Sequence, residues 1–304
     1  MKIALVGIGK IALDQHVPAL RVSPDWELAA TVSRNGSVDG VEAWRDLDAM
    51  LAARSDIRVI SLCVPPVPRF DLAAKALQAG RYVMLEKPPG ATLSECATLQ
   101  AMAQSARLGV FATWHSREAA MVAPAKAWLA GKTVTSGRIT WREDVRKWHP
   151  GQDWVFDAGG MGVFDPGINA LSILTEILPC TVHLRAATLE VPQNRQMPIA
   201  AQLDFTNNIS AEFDWRQTGP QTWSITLETD QGTLELHDGG ARMLLNGAPC
   251  NEPHNALSGE YPRLYQRMAQ LVRAGESDMD IRPLTLVADA FMTGTRVSVD
   301  PFHF

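Results

Sequence analysis

The sequence predicts an α/β protein in two parts: a parallel sheet interleaved with helices, then an α+β region built on an open antiparallel sheet. Three observations carry this. Up to about residue 117, short continuous apolar runs alternate with helical stretches. A glycine turn joins the first of those runs to the first helix. Beyond it the runs alternate polar with apolar residues and are separated by turn signals. At 304 residues the chain is longer than one average domain, so we divide it as 1–117 and 118–304.

Lys2 to Val6 is the first strand. Gly7, Gly9 and Ala12 follow in a G-x-G-x-x-A spacing, the turn of a dinucleotide-binding Rossmann unit. The first glycine allows the tight turn, the second lets a pyrophosphate approach the backbone, and the small third residue lets helix and strand close up. The anion then sits on the helix N-terminus. Ile11 to Val22 is the helix; His16 lies near its middle before Pro18 and reads as a locally satisfied histidine near a kink rather than a cofactor contact. Leu28 to Val32 is the second strand. It ends in Ser33-Arg34-Asn35, where an acidic residue would repel a 2′-phosphate. A hydroxyl and a guanidinium suit that phosphate, so NADP is preferred, with NAD possible.

Val59 to Val64 is a further buried strand ending at Pro65-Pro66, where it faces the cofactor crevice. Phe70 to Ala79 is a helix stopped by Gly80. Tyr82 to Leu85 delivers Glu86-Lys87-Pro88-Pro89 at its tip. A partly buried lysine has a movable pKa and suits acid–base work; the bland alternative is an ion pair with Glu86. Gly109 to Ala112 leads to Thr113-Trp114-His115-Ser116, another polar and aromatic cluster at a strand end.

The second part opens with a helix, Ala119 to Ala130, and the strand Ser136 to Glu143. Later strands are Thr181 to Val191, Ile199 to Phe205, Ile209 to Trp215, Thr222 to Thr229, Thr233 to His237 and Ala241 to Leu245. Thr206-Asn207-Asn208, Asp230-Gln231-Gly232 and Asn246-Gly247 mark turns between them. Asp165 to Ile177 has helical spacing, which sets Asp165 and Asn169 on one face. They can bind neighbouring sugar hydroxyls, or Asp165 can cap the helix with Pro166 at its first position. Glu260 to Gly275 and Pro283 to Val297 read as amphipathic helices, the latter able to return to the first domain.

A net charge of −5 argues against nucleic acid or an anionic membrane as partner. Cys63, Cys96, Cys180 and Cys250 show no paired spacing, so neither a metal site nor a disulfide framework is expected, and they read as reduced, mostly buried thiols of a cytoplasmic protein. The start of the chain is too short and glycine-broken for a signal peptide, and no run approaches a membrane span.

Gly7-x-Gly9, Glu86-Lys87-Pro88 and the segment from Gly159-Gly160-x-Gly162 to Asp165 together resemble the glucose-fructose oxidoreductase and inositol dehydrogenase family, over the whole chain. Longer strings, Gly9-Lys10-Ile11-Ala12, Leu85 to Thr92, Phe111 to Ser116, Trp148 to Gln152 and Phe164 to Leu171, are similar to the branch of bacterial L-arabinose and D-galactose 1-dehydrogenases. Such enzymes oxidise the anomeric carbon of an aldopyranose to a lactone and pass hydride to NAD(P). The resemblance implies a substrate domain whose open sheet often serves for contacts between copies. It implies cofactor contacts from Gly7, Gly9, Lys10, Ile11, Ser33, Arg34, Cys63, Pro65, Glu86 and Lys87. Wider family members commonly carry histidine where Asn169 stands; an amide cannot shuttle a proton, so Lys87 and Asp165 are the candidates for acid–base duty, with His115 and His149 as the alternatives. His115, Glu143, Trp148, His149, Asn169 and Trp223 are the expected sugar contacts, since tryptophan stacks on C–H faces while carboxylates and amides take hydroxyls. Trp223 reads equally well as core. No metal is needed. The alternative functions are oxidation of a cyclic polyol such as inositol, and a catalytically silent sugar or nucleotide sensor on the same fold.

Overall fold

The apolar run ahead of the glycine turn becomes strand β1 (Lys2–Val6) in a computed structural model that describes residues 1–251 and 257–304. The chain forms two units, Met1–His115 with the described part of Ala256–Ile281, and the described part of Ser116–Asn255 with Arg282–Phe304. In the first, β1 is joined by β2 (Glu27–Val32), β3 (Glu42–Trp44), β4 (Val59–Leu62), β5 (Tyr82–Glu86) and β6 (Val110–Thr113). The spatial order is β3-β2-β1-β4-β5-β6, every pairing parallel. β4, β5 and β6 are buried at every residue, as strands covered on both faces must be. Strand order reverses between β1 and β4, which opens a crevice beyond their carboxyl ends.

The helix after the glycine turn is not uniformly α-helical. Ala12–His16 is a π-helical turn that runs into the α-helix Val17–Val22. Pro18 lacks the N–H that would bond Asp14 in an α register, and the Val17 N–H reaches back five residues to the Ala12 carbonyl instead.

The helix Glu260–Ala274 packs on the same unit. Its stripe of Tyr261, Leu264, Tyr265, Met268, Leu271 and Val272 is buried with Ile3, Leu5, Leu20, Trp26 and Phe111. The Trp26 Nε1–H donates to the Tyr265 carbonyl at 2.8 Å. The segment that returns to the first unit is therefore this one. Pro283–Val297, where the sequence suggested a return, lies in the second unit as part of the helix Arg282–Thr293 and a following strand.

The second unit carries β7 (Val134–Arg142), β8 (Leu184–Pro192), β9 (Ala200–Phe205), β10 (Ile209–Asp214), β11 (Thr222–Thr229), β12 (Gly232–His237), β13 (Arg242–Leu245), β14 (Ala248–Pro249) and β15 (Thr295–Val299). Their order is β14-β13-β12-β11-β7-β10-β9-β8-β15. The expected turns close the hairpins, with Asn207, Asn208, Asn246 and Gly247 all at positive φ. The sheet is mixed rather than wholly antiparallel: β10 runs parallel to β7, and β15 parallel to β8. Both are non-local pairings made after a long excursion of the chain, so no hairpin dictates their direction. Ile209, Ala211 and Phe213 face the core, and the helix Phe164–Ile177 lies against them. Gly167 permits that approach, since a Cβ there would come within 2.5 Å of the Phe213 ring.

Among the described residues no helix is long and apolar enough to cross a membrane. All four cysteines are free, but only Cys96 is buried, and burial pushes its thiol up to about 12.

Beneath the tip of β5 lies a buried polar network. Glu86 is 5% exposed and His16 fully buried. Glu86 Oε1 accepts from His16 Nε2 at 3.0 Å and from the Tyr261 hydroxyl at 2.9 Å, while Oε2 accepts from the Lys87 N–H at 2.9 Å. His16 Nδ1 lies 2.6 Å from the Tyr265 hydroxyl. The histidine is thus satisfied, though by partners 70 and 249 positions away rather than by local ones. Arg69, also buried, donates to the carbonyls of Val64, Glu86 and Pro88. Burial pushes the Glu86 carboxyl up, but the hydrogen bond and charge of His16 outweigh it and bring the group down to about 2. Burial likewise acts to lower His16, and its neighbours Cys63, Tyr265 and Glu86 more than reverse that. Glu86 thus contributes stability that is complete above its ordinary value of 4.5 and lost as pH falls toward about 2. His16 contributes below its ordinary 6.5 and loses its contribution as pH rises through its raised value. His16→Leu, which strands the carboxylate, is expected to lower the unfolding free energy by about 3–5 kcal/mol near pH 6. In urea titrations the gap to the parent should narrow as pH falls through the carboxyl range; a gap that stays constant down to pH 2 would show that the pair is not charged.

Candidate active site

The registers of the parallel sheet align the strand tips. Val6 is level with Val32 and Leu62, Leu62 with Leu85, and Glu86 with Thr113. Gly7, Ser33, Cys63, Lys87 and His115 therefore follow strands that end along one edge. Gly7 has φ +87°, and a Cβ on it would meet Val64 Cγ1 at 2.7 Å. Only glycine fits there. At Gly9 a Cβ would meet nothing within 4 Å, so the outer side of the turn is an open cradle for a ligand. Lys10 is exposed and ion-paired with Asp14 one turn on, and Ile11 is exposed beside it. Pro65 stands at the N-cap position of the helix Pro66–Gln78 without a capping side chain.

Ser33 Oγ accepts from the Gly36 N–H at 3.2 Å, which leaves its own hydrogen available to donate. Arg34 is exposed, with no hydrogen bond or ion pair among the described residues. A hydroxyl and an uncommitted guanidinium at this strand end fit an additional phosphate on a bound dinucleotide.

Glu86 departs from expectation. Its carboxylate is spent on His16, Tyr261 and the Lys87 N–H, so it supports the loop from below. Lys87 is half-buried and precedes a cis peptide to Pro88. Just past the tip of β6, His115 is held on one side by a carboxylate, its Nδ1 lying 2.6 Å from Glu260 Oε2. The His115 ring stacks on Tyr261 at 5.7 Å.

In the second unit, the parallel pairing of β7 with β10 sets Glu143 beside Trp215, just past Arg142 and Asp214. Glu143 is buried; Oε1 accepts from Trp215 Nε1 at 3.0 Å and Oε2 from Trp223 Nε1 at 3.1 Å. Trp223 lies opposite Trp141 across β11 and β7, with rings stacked at 5.9 Å, and Trp148 stands 6.0 Å from it. Glu143 thus fixes two indoles of an aromatic wall.

Asp165 does not cap its helix. The N-cap is Val163, Asp165 lies in the first turn, and its Oδ2 is 3.0 Å from His149 Nε2. His149 ends the short helix Val145–Trp148 and sits edge-on to Trp215 at 5.3 Å. Trp154 Nε1 can only donate, and its bond to Gln152 Oε1 at 3.3 Å identifies that atom as the oxygen. The same oxygen faces His149 Nδ1 at 3.2 Å, so Nδ1 carries a hydrogen. Nε2 then shares one proton with Asp165, held as imidazolium and carboxylate or as imidazole and carboxylic acid. Asn169, one turn after Asp165, is likewise only partly buried on a helix whose other faces are covered.

Sequence reasoning missed Trp215 and Gln152, and also His16, Arg69, Tyr261 and Tyr265 as parts of the Lys87 support. Trp215 had a signal, as a large aromatic just past an alternating strand. The support residues had none, because their partners are distant in sequence.

The model of an oxidoreductase family with an NAD-binding Rossmann fold matches residues 1–113. A galactose 1-dehydrogenase of Pseudomonas fluorescens is 41% identical, with 100% of this chain and 99% of that protein aligned. A dTDP-3,4-didehydro-2,6-dideoxy-alpha-D-glucose 3-reductase of Streptomyces antibioticus is 27% identical over 78% of this chain and 75% of its own. Among solved structures, a D-galactose-1-dehydrogenase protein from Rhizobium etli superposes with a TM-score of 0.94 at 51% identity, over 99% of this chain and 97% of that one. With likeness of that extent along the full length, the chain belongs to the oxidoreductase family with an NAD-binding Rossmann fold.

Proposed function

We propose that the chain is an NAD(P)-dependent aldose 1-dehydrogenase, NADP-preferring, that oxidises D-galactose, L-arabinose or both to the lactone. The observation that carries the reading is the Asp165–His149 pair beside a wall of tryptophans: a proton-holding group next to surfaces that suit the C–H faces of a sugar. The names of the full-length relatives agree with it. The open cradle at Gly9 and the uncommitted Arg34 suit a dinucleotide with a 2′-phosphate. Gly7, Gly9, Lys10, Ile11, Ser33, Arg34, Cys63 and Pro65 are the residues that would hold it.

The bound nicotinamide supplies the acceptor for the hydride that leaves C1. The work left to the protein is to orient the sugar and to take the proton from the anomeric hydroxyl as C1 becomes a carbonyl. Lys87 and Asp165 are the candidates. Without its shared proton, the Asp165–His149 pair would set a ring lone pair against a carboxylate at 3.0 Å, an arrangement that favours taking a proton from a substrate hydroxyl. Asn169 can hold a sugar hydroxyl but cannot relay a proton. Trp148 and Trp223 give stacking surface, and Glu143 keeps Trp223 in place.

The test is reduction of NADP or NAD by a panel of D-galactose, L-arabinose, D-glucose, D-xylose and myo-inositol. Galactose and arabinose share configuration at C2, C3 and C4, and turnover confined to these two is expected; reduction with myo-inositol instead would make the protein a polyol dehydrogenase. Lys87→Met is expected to lower kcat by about 10²-fold or more while NADP still binds. A near-normal rate would remove Lys87 from the chemistry. Arg34→Ala is expected to weaken NADP use by about tenfold or more and NAD use much less. Equal losses for both cofactors would overturn the assignment of that loop.

A further inference from the structure

The helix Glu260–Ala274 has so far explained only core packing, yet its first two residues reach the tips of two neighbouring strands. Tyr261 donates its hydroxyl to Glu86, 175 positions earlier in the chain. Glu260 accepts from His115 Nδ1, just past β6. The two interactions are linked, because the His115 ring lies nearly parallel to Tyr261, at 19°. Helix geometry fixes both side chains at once: Gly259 enters the helix at φ 91°, and Glu260 and Tyr261 follow directly.

The consequences differ at the two tips. At β5, the Lys87 N–H is held by Glu86 Oε2, and the flanking carbonyls of Glu86 and Pro88 are held by Arg69. The position of the lysine backbone then depends on the orientation of the Glu86 carboxylate, and that on its two Oε1 donors, His16 and Tyr261. At β6, the Glu260 carboxylate against Nδ1 holds a hydrogen on that nitrogen and fixes the plane of the His115 ring. A ring edge held in a fixed plane suits contact with a sugar.

We propose that the first turn of the helix Glu260–Ala274 is a positioning element for the reaction, in which Tyr261 sets the Lys87 peptide through Glu86 and Glu260 sets the plane of the His115 ring. The proposal rests on the reading of Lys87 as a catalytic residue and His115 as a sugar contact. It assigns the two residues separate kinetic signatures, which a packing role would not produce.

Tyr261→Phe keeps the ring and the stack and removes one donor. It is expected to lower kcat with D-galactose by about tenfold, with the sugar KM and the dissociation constant of NADP each within about twofold of the parent. Glu260→Gln, at a half-exposed position that tolerates the change, is expected to raise the galactose KM by about fivefold with kcat nearly unchanged. Parent-like kinetics in both variants would overturn the proposal, as would losses that follow a lowered melting temperature or weakened NADP binding. Lys87→Met is measured alongside. If Lys87→Met is inactive while Tyr261→Phe and Glu260→Gln behave as the parent, only the positioning proposal falls; if Lys87→Met turns over normally, the reading of Lys87 falls and takes the Tyr261 arm with it.

Discussion

One buried carboxylate organises the first unit. Stripping Glu86 of water costs several kcal/mol unless donors replace the solvent, and a lone carboxylate in that position would simply take up a proton. The chain meets the demand with three donors from three places: His16 in the helix after the glycine turn, Tyr261 in the helix Glu260–Ala274, and the N–H of Lys87 itself. Each donor commits its own element. The placing of His16, the return of a distant helix and the shape of the lysine loop all serve the same two oxygen atoms.

The second unit applies the same logic to aromatic surface. A tryptophan ring is useful as a wall only if it stays put, and its N–H must find an acceptor when buried. Glu143 supplies one acceptor atom to Trp215 and the other to Trp223. That arrangement depends on β7 and β10 running parallel, since only then do the residues past both carboxyl ends lie side by side.

What could be read in the sequence was what is local. The glycine turn, the strand-end position of Glu86-Lys87-Pro88 and the asparagine turns are each decided within a few residues, and each stands in the structure where the spacing put it. Strand β3 was not legible, because Glu42–Trp44 is too short to show a period. Nor were the direction of β10, the home of the helix Glu260–Ala274, or the partners of Glu86, all of which are settled by residues far away in the chain. Asp165 illustrates the difference most clearly: aspartate before proline at a helix start favours a cap, yet its carboxylate turns to His149, sixteen positions away.

The first unit is assembled from two stretches separated by well over a hundred residues, and this bears on how the protein is made. As the chain leaves the ribosome, the six parallel strands emerge first, but the face that Tyr261, Leu264, Tyr265 and Met268 will cover stays open until more than a hundred further residues have been synthesised. During that interval Glu86 lacks the hydroxyl of Tyr261, and Ile3, Leu5 and Trp26 lack their cover. The same discontinuity limits dissection: a fragment ending where the Rossmann family match ends, at residue 113, would carry every strand of the sheet and still lack one wall of its core.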